Sequence, residues 1–124
     1  MLSLIETRNR HFLNACRQAL VNYPKGEVIC VETLIDRAIH SEAPHYYCTY
    51  TYALRMIRVL RHGRLRLRRD RRYLQWEELS DRCRRLEESR EWSLPRALAH
   101  VLARGKASQF FIAVPTGKYI FLHR

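Results

Sequence analysis

The apolar residues between positions 31 and 39 fit one face of a helix and no other regular arrangement. Val31, Leu34, Ile35, Ala38 and Ile39 fall at i, i+3, i+4, i+7 and i+8, which all lie on one side of an α-helix. A strand would divide the same residues between its two faces. The segment therefore predicts an amphipathic helix with a buried apolar stripe.

Four further segments carry the same spacing between residues that begin and end helices. Thr49 and Ser93 are typical N-cap residues, and Gly63 and Gly105 follow the last apolar positions of their segments, where glycine ends helices. The sequence thus predicts a mainly α protein, a helical domain of about five helices. With caps and stops included, these helices cover 2–22, 31–40, 49–63, 70–89 and 93–105.

Two patterns disagree about the C-terminal segment. The turn residues Pro115-Thr116-Gly117 stand between aromatic and β-branched residues, which predicts a short C-terminal β-hairpin. A shift of the sequence by 64 residues predicts instead that Val114 to His123 is a degenerate copy of the third helix, and both alternatives remain open. The shift aligns Leu34 with Leu98, Ala38 with Leu102, Ala43 with Ala107, Tyr46 and Tyr47 with Phe110 and Phe111, Ala53 with Gly117, and Ile57 with Phe121.

The order of the elements predicts a tri-helical helix-turn-helix-like unit at 1–63, an Arg-rich connector at 64–72 and a second helical unit at 73–124. With 124 residues, the two units are expected to pack as one compact domain. Ala43-Pro44-His45-Tyr46-Tyr47 resembles an A-P-x-aromatic-aromatic motif of small uncharacterised bacterial helix-turn-helix-like proteins. The resemblance covers about residues 30–62 and implies the helix-turn-helix relationship but no activity.

The charge of the chain points to a polyanionic partner. Lys and Arg number 23 against 12 Asp and Glu, which gives a net charge of +11, an excess that repels itself unless an anion neutralises it. Residues 55–72 hold nine arginines and one acid, Asp70. Arginine presents a planar fork of donors that matches phosphate oxygens, so nucleic acid is the expected partner. The alternative is a protein-interaction module whose basic surface docks an acidic partner.

The predicted third helix carries a row of polar residues opposite its apolar stripe. In a helix-turn-helix, this helix enters the major groove of DNA, so DNA is favoured over RNA as the partner. Thr51, Tyr52 and Arg55 are then expected near the bases and the other arginines near phosphates, whereas an ordinary solvated face is the alternative. The predicted contact residues are Thr51, Tyr52, Arg55, Arg58, Arg61, Arg64, Arg66, Arg68, Arg69, Arg71 and Arg72.

Other function classes have little support in the sequence. No nucleophile–base pair or phosphate-binding loop is recognisable, which predicts a protein without enzymatic activity or a cofactor. His40, His45 and Cys48 match no common zinc spacing, so no metal is expected. The four scattered cysteines predict reduced, mostly buried thiols in a cytoplasmic protein, and no apolar stretch is long enough to span a membrane. The stripe around Trp76 predicts either a core face or a homodimer seam.

Overall fold

The structure, a computed structural model, describes residues 3–63 and 71–124. Within these residues the chain forms helices and no strand, so the predicted mainly α fold class is confirmed. The helices are α1 (Leu4–Val21), α2 (Val31–Ile39), α3 (Tyr50–Arg61), α4 (Arg71–Arg90), α5 (Leu94–Arg104) and α6 (Val114–Leu122).

The predicted caps begin the helices where the sequence places them. The Thr49 hydroxyl accepts a hydrogen bond from the backbone N–H of Tyr52, and the Ser93 hydroxyl accepts one from Arg96. Each bond satisfies a donor that the first turn of a helix leaves without a partner. The five predicted helices are confirmed, with ends that differ by no more than about two residues from the observed ones.

The C-terminal segment is helical, and the predicted hairpin is wrong. Pro115 lies in the first turn of α6, where its missing N–H costs nothing. The backbone N–H of Gly117 donates to the carbonyl of Ala113 at 2.9 Å, which is a helical bond. The turn residues of the hairpin therefore form the first turn of a helix instead. The helices α3 and α6 begin at residues 50 and 114, the separation that the repeat predicts.

The six helices form two compact units that do not follow the order of the chain. Unit 1 comprises Met1–Tyr47 with Lys106–Arg124, and unit 2 comprises Cys48–Gly105. Unit 1 therefore contains α1, α2 and α6, whereas unit 2 contains α3, α4 and α5. Unit 1 thus combines two helices from the N-terminal half of the chain with one from the C-terminal half. Unit 2 combines two helices from the C-terminal half with one from the N-terminal half. The division into 1–63 and 73–124, and the helix-turn-helix arrangement of α1 to α3, stay predictions from the sequence.

The core of unit 1 joins the two ends of the chain. Phe12 and Ile35 are fully buried, and the Phe12 ring meets the edge of Phe110 at 5.4 Å between centroids. Ala43 and Ala107, which the repeat aligns, pair with each other through two backbone hydrogen bonds of 2.9 Å. Two positions that the predicted repeat aligns thus meet directly in this unit.

The core of unit 2 lies between α3, α4 and α5. Ile57, Leu79, Cys83 and Leu98 are fully buried, and they come from all three helices. Trp76 is only 4% exposed, which follows from its place in the apolar stripe of α4. This packing fixes which side of α3 faces the solvent.

Candidate nucleic-acid interface

The helix α3 presents a polar row on the side opposite its buried stripe. Thr51, Arg55 and Arg58 are exposed on this helix, and His62 is exposed at its C-cap. Their spacing of four, three and four residues keeps them on one face. Ile57, on the other side, is fully buried. The structure thus brings three of the predicted contact residues, Thr51, Arg55 and Arg58, together in solvent.

Aromatic contacts hold the beginning of α3 in place. The ring of Tyr52 meets that of Trp76 edge to face, with centroids 5.5 Å apart, while 49% of Tyr52 remains exposed. The Tyr50 hydroxyl lies 3.5 Å from the carbonyl oxygen of Pro95. Tyr52, a predicted base contact, therefore packs against Trp76 and leaves about half of its surface exposed to solvent.

Arg61 has a different environment from the other arginines of α3. Its guanidinium donates to the Glu87 carboxylate at 2.7 and 3.0 Å and to the side chain and backbone oxygens of Ser80 at 3.0 Å. The hydrogen bonds hold the pKa of Glu87 below its ordinary value and raise the pKa of Arg61. Arg61 thus forms an ion pair that joins α3 to α4, and its predicted phosphate contact stays a prediction from the sequence.

Much of the predicted Arg-rich surface lies outside the described residues. This applies to Arg64, Arg66, Arg68 and Arg69, and to the side chain of Arg71. Their contact with phosphates stays a prediction from the sequence. Arg72, in the first turn of α4, is exposed.

Tyr46 and Tyr47, considered above as part of the aromatic motif, belong to the interior of unit 1. Tyr46 is 4% exposed, and the Tyr47 hydroxyl lies 2.6 Å from Nδ1 of His11. Burial raises the pKa of Tyr47 to about 12 and lowers the pKa of His11. The raised pKa keeps the Tyr47 hydroxyl protonated, and this hydroxyl and the His11 ring share a hydrogen bond. Its role is structural.

Several cationic residues on α4 and α5 were not among the contact residues predicted from the sequence. Arg82 and Arg85 are three residues apart on α4, and His100 and Arg104 are four residues apart on α5. These intervals place each pair on one face of its helix, a signal that the sequence already contains. The contact residues were predicted instead in and beside residues 55–72, where arginines are most frequent.

The remaining predictions concern thiols, metals, membranes and dimers. Cys16 and Cys83 are buried and Cys48 is half-buried, and burial raises the pKa of each thiol to about 11, whereas Cys30 is exposed. Among the described residues, no cluster of His, Cys, Asp or Glu can hold a metal ion, and no helix has the length and apolar character of a membrane span. Trp76 packs inside unit 2, so the homodimer seam has no structural support.

Comparisons with known proteins assign no function to the chain. No protein-family description, curated protein or solved structure matches the chain. The exposed polar row of α3 is therefore the basis for a proposal.

Proposed function

We propose that the protein binds nucleic acid, with DNA as the expected partner, and acts as a binding protein rather than an enzyme. The observation that carries the proposal is the exposure of Arg55 and Arg58 beside Thr51 on one face of α3. No Asp or Glu occurs between residues 43 and 69, so no acidic neighbour in the sequence neutralises this face. Two exposed arginines with a hydroxyl group suit a phosphate backbone.

The position of the row in unit 2 supports a shaped contact surface. Arg55 and Arg58 project from a helix whose opposite side packs through Ile57 and whose first turn is held by the Thr49 cap. Side chains on a packed helix keep a fixed spacing, which reduces the entropy lost when they bind a regular backbone. The arginines between positions 64 and 72 follow α3 in sequence, and we expect them to contact phosphates of the same nucleic acid.

The proposal is tested by removing the two exposed arginines of α3. We expect the combined change Arg55→Ala and Arg58→Ala to weaken binding to a duplex DNA at low salt by at least about tenfold, since each loses a charge-assisted hydrogen bond. Fluorescence anisotropy with labelled duplex DNA, single-stranded DNA and RNA measures this and identifies the preferred form.

The matched control removes the same charge from unit 1. Arg10 and Arg17 are exposed on α1, and their joint replacement by Ala is expected to change affinity by less than about threefold through the general field alone. Equal losses in the two double variants would contradict the role of α3. Absence of binding to all three nucleic acids would contradict the proposed function and favour an acidic protein partner.

A further inference from the structure

Unit 2 contains a basic cleft on the surface of α4 and α5. The cleft has a volume of about 280 Å³, and four of the residues that line it are Arg82, Arg85, His100 and Arg104. None of the described lining residues is acidic. The concentration of positive charge around one open volume favours an anionic ligand.

Two helix faces create this concentration of charge. Arg85 on α4 and Arg104 on α5 are exposed, whereas Arg82 and His100 are partly buried. Leu86 and Val101 also line the cleft and give it apolar walls. Charged groups beside apolar side chains are screened less by water than those on a fully open surface, which applies here to the partly buried Arg82 and His100.

Gly105 shapes the inner end of the cleft. A Cβ atom at this position would lie 3.1 Å from Nη2 of Arg82 and 2.6 Å from the carbonyl oxygen of Val101. The close backbone carbonyl of Val101 therefore requires glycine at this position, and the missing side chain also leaves room for the guanidinium of Arg82 at the end of α5. The backbone N–H of Gly105 donates to the same carbonyl oxygen.

Trp92 restricts the position of His100. The two rings meet edge to face with centroids 5.2 Å apart, and the guanidinium carbon of Arg96 lies 4.4 Å from the centre of the Trp92 ring. The imidazole is thus positioned by packing, and the cationic surface continues from the cleft toward Arg96. A ring held in place by packing gives the cleft one group with a fixed position, which favours specific binding of a small anion.

We propose that this cleft is a binding site for a phosphate group. The planar donor fork of an arginine binds two phosphate oxygens at once, and the two exposed arginines of the cleft, Arg85 and Arg104, balance the charge of about −2 on a phosphomonoester. The ligand is a phosphorylated small molecule or the terminal phosphate of a nucleic acid, which share this chemistry. The site does not depend on nucleic-acid binding by α3, because it uses none of the α3 residues.

The test measures binding of inorganic phosphate to the full chain by NMR and calorimetry at constant ionic strength. We expect the ring resonances of His100 to shift on phosphate addition while those of His40, in unit 1, do not. The combined change Arg85→Ala and Arg104→Ala is expected to weaken binding at least about tenfold. The double variants at Arg10 and Arg17 and at Arg55 and Arg58 are expected to retain it.

A second arm identifies the source of the phosphate. A single-stranded DNA with a 5′-phosphate is compared with the same strand ending in a 5′-hydroxyl. A preference for the phosphorylated strand that disappears only with the changes at Arg85 and Arg104 supports a terminal phosphate, and binding of inorganic phosphate without this preference supports a small molecule. An unshifted His100 resonance, or equal phosphate affinity in all three double variants, would overturn the site. Absence of DNA binding by the original protein, with phosphate binding at His100 retained, would overturn only the proposed role of α3.

Discussion

The arginines of α3 show how position decides the role of a residue type. Arg55 and Arg58 are exposed, whereas the Arg61 side chain is only 19% exposed and pairs with a Glu87 side chain that is 23% exposed. Sequence spacing does not distinguish the three, because the acid that neutralises Arg61 lies 26 residues away on another helix. The same residue type is therefore exposed to solvent at two positions and joins two helices at the third.

The ion pair gives a prediction for stability. Replacing Glu87 by Gln is expected to lower the free energy of unfolding at pH 7 by about 1–2 kcal/mol, since Arg61 loses a charge-assisted partner in a half-buried site. Denaturant unfolding measures the change. Glu88→Gln, at an exposed position of the same helix, is the control and is expected to have little effect. An equal effect of both changes would mean that the loss reflects net charge alone.

The stability contribution of the pair depends on pH in a defined direction. Arg61 holds the folded pKa of Glu87 below its ordinary value, so the contribution is complete above the unfolded pKa of about 4.3 and is lost as the pH falls through the folded value. The difference between the original protein and the Glu87→Gln variant is therefore expected to shrink steadily below about pH 4. A difference that stays constant into strong acid would contradict the charge-based explanation.

At the scale of the elements, local patterns predict five helices but give conflicting predictions for the C-terminal segment. Apolar periodicity and the caps at Thr49 and Ser93 locate five helices because both signals act within one turn. The turn residues after Phe111 led to the wrong prediction of a hairpin, since Pro115 suits the first turn of a helix as well as a β-turn. Only the comparison with α3, 64 residues earlier, favours the helix that is observed.

The packing of α6 in unit 1 gives a prediction for Gly117. A Cβ atom there would lie 2.9 Å from Cγ2 of Ile35 and 3.0 Å from Cζ of Phe12. We expect Gly117→Ala to destabilise the protein by about 1 kcal/mol, because overpacking outweighs the higher helix propensity of alanine, and Gly117→Val to cost about 3 kcal/mol. Thermal unfolding tests this order, and a stabilising alanine would contradict the close packing of α6.

At the scale of the whole molecule, the grouping of the helices into compact units depends on contacts between segments that are far apart in the sequence. Periodicity identifies the apolar face of α3 but not the helices that cover it. The repeat predicted from the sequence aligns α3 with α6, so apolar spacing alone does not decide which of the two packs against α1 and α2. In the structure α6 does so, whereas α3 joins α4 and α5.

The distribution of charge was also predicted only in part from the sequence. Composition alone indicates a polyanionic partner, and spacing along α3 identifies Arg55 and Arg58 as exposed. The cleft residues Arg85 and Arg104 come from different helices, and their proximity depends on how α4 and α5 pack. Unit 2 thus has two separate cationic surfaces, of which the sequence analysis identified one.

The salt dependence of DNA binding tests the central claim most directly. Neutralised phosphates release counterions, so the logarithm of the affinity is expected to fall linearly with the logarithm of the salt concentration. We predict that Arg55→Ala with Arg58→Ala makes this slope less steep by about 2, because each arginine neutralises one phosphate, while the paired change at Arg10 and Arg17 leaves it unchanged. A slope near zero in the original protein, or an unaltered slope in the α3 variant, would contradict the account.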